Sequence, residues 1–286
     1  MTVPSARRTA LVTGASEGIG RALAHALAAT GYAVTGVARN EDRLHAVIDG
    51  LGHDHAALVA DLETEDGLGR VVRAVQQRSF DVLVNNAGTA TAGPFTEVPL
   101  ERAAAMVDLN CHALVALAHT FLTGARPGDA LINVSSTLAF APMANLSVYC
   151  ATKAFVTSLS ESLWQEHKAR GVYVMGLCPG MTATQSQPHN GADVPASLVQ
   201  TPSQVAVRAL SALHRRRQPT VISGRVNTLF ATAARALPRR TALRLLGTGR
   251  ESPAVQGSSC QPTDPEGWPR RCAVRLRRTA GQPRAD

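Results

Sequence analysis

Thr9-Ala10-Leu11-Val12-Thr13-Gly14-Ala15-Ser16-Glu17-Gly18-Ile19-Gly20 joins three local signals in one stretch. Thr9 to Thr13 is a short apolar run suited to a buried strand. The glycines follow at once, and Arg21 to Ala29 reads as a helix stopped by Gly31. Strand, glycine-rich turn and helix together make a dinucleotide site. The glycines let backbone approach a pyrophosphate, and the helix N-terminus offers free N–H groups and the positive end of its dipole. The spacing is G-x-x-x-G-x-G, not G-x-G-x-x-G. Gly14, Ser16, Glu17, Gly18, Ile19 and Gly20 are the candidate cofactor residues here, against the alternative of a structural turn.

Working outward, Ala33 to Ala38 is a second strand ending at Arg39. A free ribose 2′-hydroxyl calls for an acidic residue at this strand end, whereas an arginine pairs with a 2′-phosphate. Arg39 therefore points to NADP(H) in preference to NAD(H). Glu17 argues the other way, since a carboxylate repels a phosphate, and a solvated strand-end charge is the alternative for Arg39. The third strand, Ala56 to Ala60, leads into Asp61 and Leu62, then a polar helix from Thr64 to Arg78. Asp61 either faces an adenine ring or caps the turn. The fourth strand, Asp81 to Asn85, runs into Asn86, Ala87 and Gly88, a crevice wall or a plain turn.

A long helix, Leu100 to Thr123, is apolar on one face and carries Asn110 among apolar neighbours. A buried amide must be hydrogen-bonded, so Asn110 either locks nearby backbone or binds a structural water. The fifth strand, from Ala130, ends in Ser135 and Ser136. A helix from Tyr149 to Arg170 follows, then a sixth strand, Val172 to Cys178, and the turn Pro179-Gly180-Met181-Thr182-Ala183-Thr184. With a helix from Pro202 to Arg217 and a last strand from Pro219 to Ser223, the pattern predicts a Rossmann-type, doubly wound parallel sheet. It has about seven strands with helices on both faces, in a single α/β domain. That domain is expected over residues 1–250, with a lid at about 185–200 and an amphipathic segment at about 225–246. Residues 251–286, rich in Pro, Gly, Ser and Arg without periodicity, are expected to be disordered.

Tyr149 and Lys153 stand four apart, one above the other on a helix. A cation beside a phenol favours the phenolate and tunes the tyrosine for proton transfer. The chain has 29 basic residues, of which only Lys153 and Lys168 are lysines. A compact ammonium suits a pocket better than a planar guanidinium.

Charge is unevenly spread. Residues 1–193 hold 13 basic and 17 acidic side chains, whereas residues 194–286 hold 16 and 4. The basic C-terminal third lacks the interleaved aromatics of a base-stacking platform, so nucleic acid is not an expected partner. Five cysteines form no CxxC pair and no metal-ligand spacing. No metal site is expected, and reduced thiols fit a cytoplasmic location. No signal region and no apolar run long enough to span a bilayer are read from the sequence.

Together, Thr13-Gly14-xxx-Gly18-Ile19-Gly20, Asn85-Asn86-Ala87-Gly88, Asn110, Ser136, Tyr149-xxx-Lys153 and Pro179-Gly180 resemble the short-chain dehydrogenase/reductase family, in order and spacing, over roughly Ala10 to Ile222. The resemblance implies an oxidoreductase moving a hydride between NADPH and a ketone or secondary alcohol. The apolar loop residues Leu138, Phe140, Met143 and Met181 read either as a pocket for a 3-oxoacyl or other apolar carbonyl substrate or as core. The resemblance also implies that Tyr149 is the general acid and that Lys153 lowers its pKa and bonds the nicotinamide ribose. Ser136 would then bond the substrate oxygen, and Asn110 would support a proton-relay water. Asp61, Leu62, Asn86, Ala87, Gly88, Pro179, Gly180, Thr182 and Thr184 would line the cofactor site, with Thr182 or Thr184 at the carboxamide. A homodimer or homotetramer is implied as well. A weaker likeness over Val221 to Leu246 leaves two readings, contact with membrane or acyl chain, or a helix packed over the pocket or a neighbouring subunit. The packed helix is favoured because Pro238 interrupts the pattern. The other function class is a non-catalytic NADP(H) sensor or scaffold. An intact Tyr149, Lys153, Ser136 and Asn110 set argues against it.

Overall fold

The computed structural model describes residues 7–184 and 199–246. Its centre is an all-parallel sheet of seven strands in the order β3-β2-β1-β4-β5-β6-β7. The strands are β1 (Thr9–Thr13), β2 (Ala33–Ala38), β3 (Ala56–Val59), β4 (Val82–Asn85), β5 (Ala130–Val134), β6 (Tyr173–Cys178) and β7 (Thr220–Ile222). Every residue of β4, β5 and β6 is buried, as expected for strands covered on both faces.

Helices α1 (Gly18–Ala29), α2 (Glu41–Asp49) and α7 (Pro202–Arg215) cover one face through Leu23, Leu27, Leu44, Val205 and Leu213. Helices α3 (Glu65–Gln77), α4 (Leu100–Val107), α5 (Leu114–Gly124) and α6 (Ser147–His167) cover the other, where Val71, Val75, Leu117 and Phe121 meet Leu83 and Leu131. Helix α2 was not expected. It buries only Leu44, Val47 and Ile48, too few apolar positions to stand out as a period.

Two further differences bear on function. First, α4 and α5 form one long helix interrupted by a π-helical turn, Asp108–Ala113, which contains Asn110. By length and composition Leu100–Gly124 could cross a membrane, contrary to the sequence reading. Here its apolar side chains Leu109, Leu117, Phe121 and Leu122 pack into the core. Second, the expected amphipathic segment is two helices, α8 (Arg225–Ala236) and α9 (Arg239–Leu246), split at Pro238. Ala231, Ala234 and Phe230 of α8 pack on Phe140, Ala141, Cys178 and Ile222. This matches the packed-helix alternative. The expected lid falls almost wholly on residues 185–198, and these and the expected tail lie outside the described residues.

From β1 the chain winds outward through β2 to β3, then crosses back to β4 on the other side of β1. Where the winding reverses, the loops at the carboxyl ends of β1 and β4 part and leave a crevice. The candidate residues all follow strand ends on this edge, or reach it from the π-turn and α6.

Candidate active site

The β1 end of the crevice is built from backbone. Gly14 and Gly18 have φ of +65° and +55°, a conformation side-chain-bearing residues avoid. A Cβ on Gly20 would lie 2.0 Å from Gly14 O, so α1 can come this close to the strand only with glycine there. Asn86 ties the two strand ends together. Its Nδ2 donates to Thr13 O at 2.9 Å and Gly14 O at 3.3 Å, while Thr13 Oγ1 accepts from the N–H groups of Asn86 (2.9 Å) and Ala87 (3.0 Å). Helices α2, α3 and α7 start with side-chain caps on Asn40, Thr64 and Thr201, but α1 starts at Glu17 with none. Its first-turn N–H groups stay available for an anion. This cradle fits the pyrophosphate of a nicotinamide dinucleotide. Ile19 and Leu62 turn their side chains into the core, leaving only backbone for a ligand.

Charge gathers at the β2 end. Arg39 reaches Glu63 at 3.4 Å, and Arg43, in the first turn of α2, reaches Glu17 at 3.1 Å. Asp61 Oδ1 accepts from Glu63 N at 3.0 Å, so it caps the turn after β3.

On the β5 side, Ser136, Tyr149 and Lys153 come together. The Ser136 hydroxyl bonds toward the Tyr149 phenol and also accepts from Leu138 N at 3.2 Å. Lys153 Nζ lies 5.6 Å from the Tyr149 ring centroid and donates to Val134 O at 3.0 Å. Burial pulls the Lys153 ammonium from 10.5 down to about 8. The expected lowering of the phenol is not seen. Burial pushes Tyr149 up, and Ser136 opposes this only in part. The reason is placement, because the ammonium is aimed at the Val134 carbonyl. Ser135 is committed to α6, bonding Lys153 O and Thr157 Oγ1, each at 2.7 Å.

Asn110 locks backbone, the first of its two expected options. Its Oδ1 accepts from Thr89 N and its Nδ2 donates to Thr89 O, both at 2.9 Å, with a further bond to Thr152 Oγ1 at 3.1 Å. Thr152 in turn donates to Tyr149 O at 2.8 Å. The π-turn, the loop after β4 and the first turn of α6 are thus pinned as one unit. Gly88 lies against it, since a Cβ there would sit 2.9 Å from Asn110 Oδ1 and 3.5 Å from Lys153 Nζ.

The turn after β6 closes the crevice. Pro179 O accepts from Thr137 N at 2.9 Å, and Thr182 Oγ1 donates to Gly180 O at 3.0 Å. Thr184 comes over the glycine turn, its Cγ2 at 3.1 Å from where a Gly18 Cβ would be. Asn227 of α8, which the sequence did not single out, holds this turn. It packs on Gly180 so closely that a Cβ there would meet it at 2.3 Å, and it donates to Gln200 Oε1 at 3.1 Å and Ser223 O at 2.7 Å. Gln200 in turn bonds the backbone of Met181 and Ala183 at 2.9 Å.

Beside the first turn of α6 lies a small, shallow recess lined by Thr91, Phe95, Val98, Met106, Ser147 and Val148 among others. Phe140, one of the apolar loop residues, faces α8 and not this recess. Burial pushes the Cys111 and Cys150 thiols up and Cys178 to about 11, so none is activated as a nucleophile.

A family model described as short chain dehydrogenase matches residues 8–194. Serine 3-dehydrogenase of Agrobacterium fabrum is 34% identical over 181 residues, covering 62% of this chain and 73% of that protein. Very-long-chain 3-oxoacyl-CoA reductase of Mus musculus is 29% identical over 186 residues, covering 62% of this chain and 60% of that protein. Among solved structures, a short-chain dehydrogenase from Sphingobium yanoikuyae in complex with NADPH superposes with a TM-score of 0.72 at 31% identity. The match covers 86% of this chain and 99% of that one.

Proposed function

Because this chain belongs to the short-chain dehydrogenase family and is a dehydrogenase/reductase of alcohol and carbonyl groups, we propose that it reduces uncharged, apolar ketones with NADPH. The observation that carries this reading is the meeting of Ser136, Tyr149 and buried Lys153 on the same sheet edge as the glycine cradle. The presence of Ser136, Tyr149 and Lys153 together argues against a non-catalytic sensor, which has no need of the acid.

When bound, the reduced nicotinamide supplies a hydride to the carbonyl carbon. The chain's own groups do the rest. Ser136 donates to the carbonyl oxygen and fixes its position, and Tyr149 gives that oxygen its proton as charge develops there. A phenol kept protonated by burial suits the acid role in reduction. Lys153 holds the ribose and replaces the lost proton on the tyrosine side. Both N–H donors of the Asn110 side chain are used on Thr89 and Thr152, so a relay water would meet an Asn110 oxygen, as acceptor. Gly14 to Gly20, Asn86 to Gly88 and the α1 N-terminus hold the pyrophosphate and adjoining ribose. Arg39 meets the 2′-phosphate, and Thr182 the carboxamide.

The substrate class follows from the crevice walls. Residues 89–99, 137–148 and 179–184 contain no lysine or arginine, so no cation there is available to hold a substrate carboxylate. The half-buried Leu138 and Met143 and the exposed Met181 favour an apolar chain or ring, a 3-oxoacyl thioester among them. Exposed Val107, Val115 and Phe155 on the long helices support a homo-oligomer paired there, and the free thiols of Cys111, Cys150 and Cys178 fit the cytoplasm. The test is NADPH oxidation against paired ketones that differ only by a carboxylate beside the carbonyl. The uncharged member of each pair should turn over at least about tenfold faster. Faster turnover of the acids would overturn the substrate class.

A further inference from the structure

Glu17 occupies the glycine turn, where its carboxylate would repel a ribose 2′-phosphate. The structure shows how that conflict is met. In the sheet, Thr13 pairs with Val37 and Ala15 N donates to Val37 O at 3.1 Å, so the glycine turn lies directly beside the end of β2. From that end the chain enters α2 through Asn40, whose side chain caps Arg43 N at 2.9 Å. The cap sets the first turn of α2 and directs Arg43 back across the gap to Glu17, 3.1 Å away. Arg39 leaves the same strand end toward Glu63 at 3.4 Å.

We propose that Arg43 determines cofactor choice, neutralising Glu17 so that the ribose pocket between the glycine turn and β2 accepts a 2′-phosphate. The inference rests on the NADP(H) reading above and adds a residue to it. Arg39 already faces Glu63, so Glu17 brings a further carboxylate that favours a free 2′-hydroxyl over a phosphate. Arg43 offsets that carboxylate, and the phosphate can draw on either guanidinium. Glu17 then has a role as well: it holds Arg43 at the rim when no cofactor is bound. Arg43 is 60% exposed, so the effect is that of a partly screened charge contact and fades with salt.

The test is calorimetric binding of 2′,5′-ADP and 5′-AMP, which needs no turnover. Arg43→Gln should weaken 2′,5′-ADP by about tenfold and leave 5′-AMP within about twofold. Adding Glu17→Gln should recover most of the loss, and Arg43→Lys should lie between wild type and Arg43→Gln. Equal weakening of both nucleotides, no weakening of either, or no recovery in the double variant would overturn the proposal. The cofactor reading is judged separately by the wild-type protein. If it binds both nucleotides alike, the NADP(H) preference falls, while a selective loss in Arg43→Gln would still sustain the role of Arg43. If wild type prefers 2′,5′-ADP and Arg43→Gln changes nothing, Arg39 suffices and the proposal fails alone.

Discussion

The crevice holds positive charge at two places, and holds it in opposite ways. At the rim, Arg39 and Arg43 are 68% and 60% exposed and each faces a carboxylate. On the floor, Lys153 is 7% exposed, and among the described residues none of the ion pairs includes it. Exposed pairs contribute little to stability and are screened by salt, so the rim can select a ligand without altering the fold. A buried ammonium is costly and strongly felt by whatever shares its site. Selection is thus placed in water and chemistry away from it.

The floor should give the largest effects. Removing the cation by Lys153→Met should cut turnover by about a hundredfold or more. The same change should stabilise the cofactor-free protein. The Lys153 pKa falls from 10.5 to about 8 on folding. The unfolded chain therefore holds this proton more tightly, and below pH 8 the folded state carries a penalty of about 3 kcal/mol. The penalty is relieved as pH rises from about 8 toward 10.5. Denaturation of both proteins across pH should find Lys153→Met more stable at pH 7, by an advantage that shrinks toward pH 10. A less stable variant would mean that the Val134 bond outweighs desolvation, and a constant difference would mean that folding leaves the Lys153 pKa unshifted.

Next comes the turn after β6, which belongs to neither set. Asn227→Leu should weaken NADPH by about tenfold, the scale of one or two lost hydrogen bonds, and leave 2′,5′-ADP unchanged. Equal losses for both would show that Asn227 supports the whole fold and not the nicotinamide end. The smallest effect belongs to the rim: Arg39→Ala should weaken 2′,5′-ADP a few-fold at low salt, and less at high salt. A salt-independent loss would mean that Arg39 is buried against its ligand and does not act as an exposed charge.

The same division explains what the sequence could and could not show. Gly14, Gly18 and Gly20 were legible because backbone at those positions admits little else, and the strands because burial on both faces requires apolar runs. The Tyr149 and Lys153 spacing needs only a helix to be meaningful. The direction of the Lys153 ammonium and the depth of the Tyr149 phenol are matters of packing, and it is burial that raises the phenol. The π-turn at Asn110 was hidden because its composition is that of the flanking helix, and Thr89, far away in sequence, accounts for the amide. Asn227 lies 47 residues from Gly180, and nothing local marks their contact. Phe140 read as pocket or core with equal right, since an apolar loop residue does not declare which side it will face.

The central claim is that Tyr149 supplies the proton at this site. The most direct measurement is a single turnover of an uncharged apolar ketone by NADPH-loaded protein, followed through loss of the reduced-nicotinamide absorbance, for wild type and Tyr149→Phe. The account predicts that the variant binds NADPH within a few-fold of wild type and that its reduction step slows by about 10²- to 10⁴-fold. Reduction at the wild-type rate would contradict it and move the acid to another group.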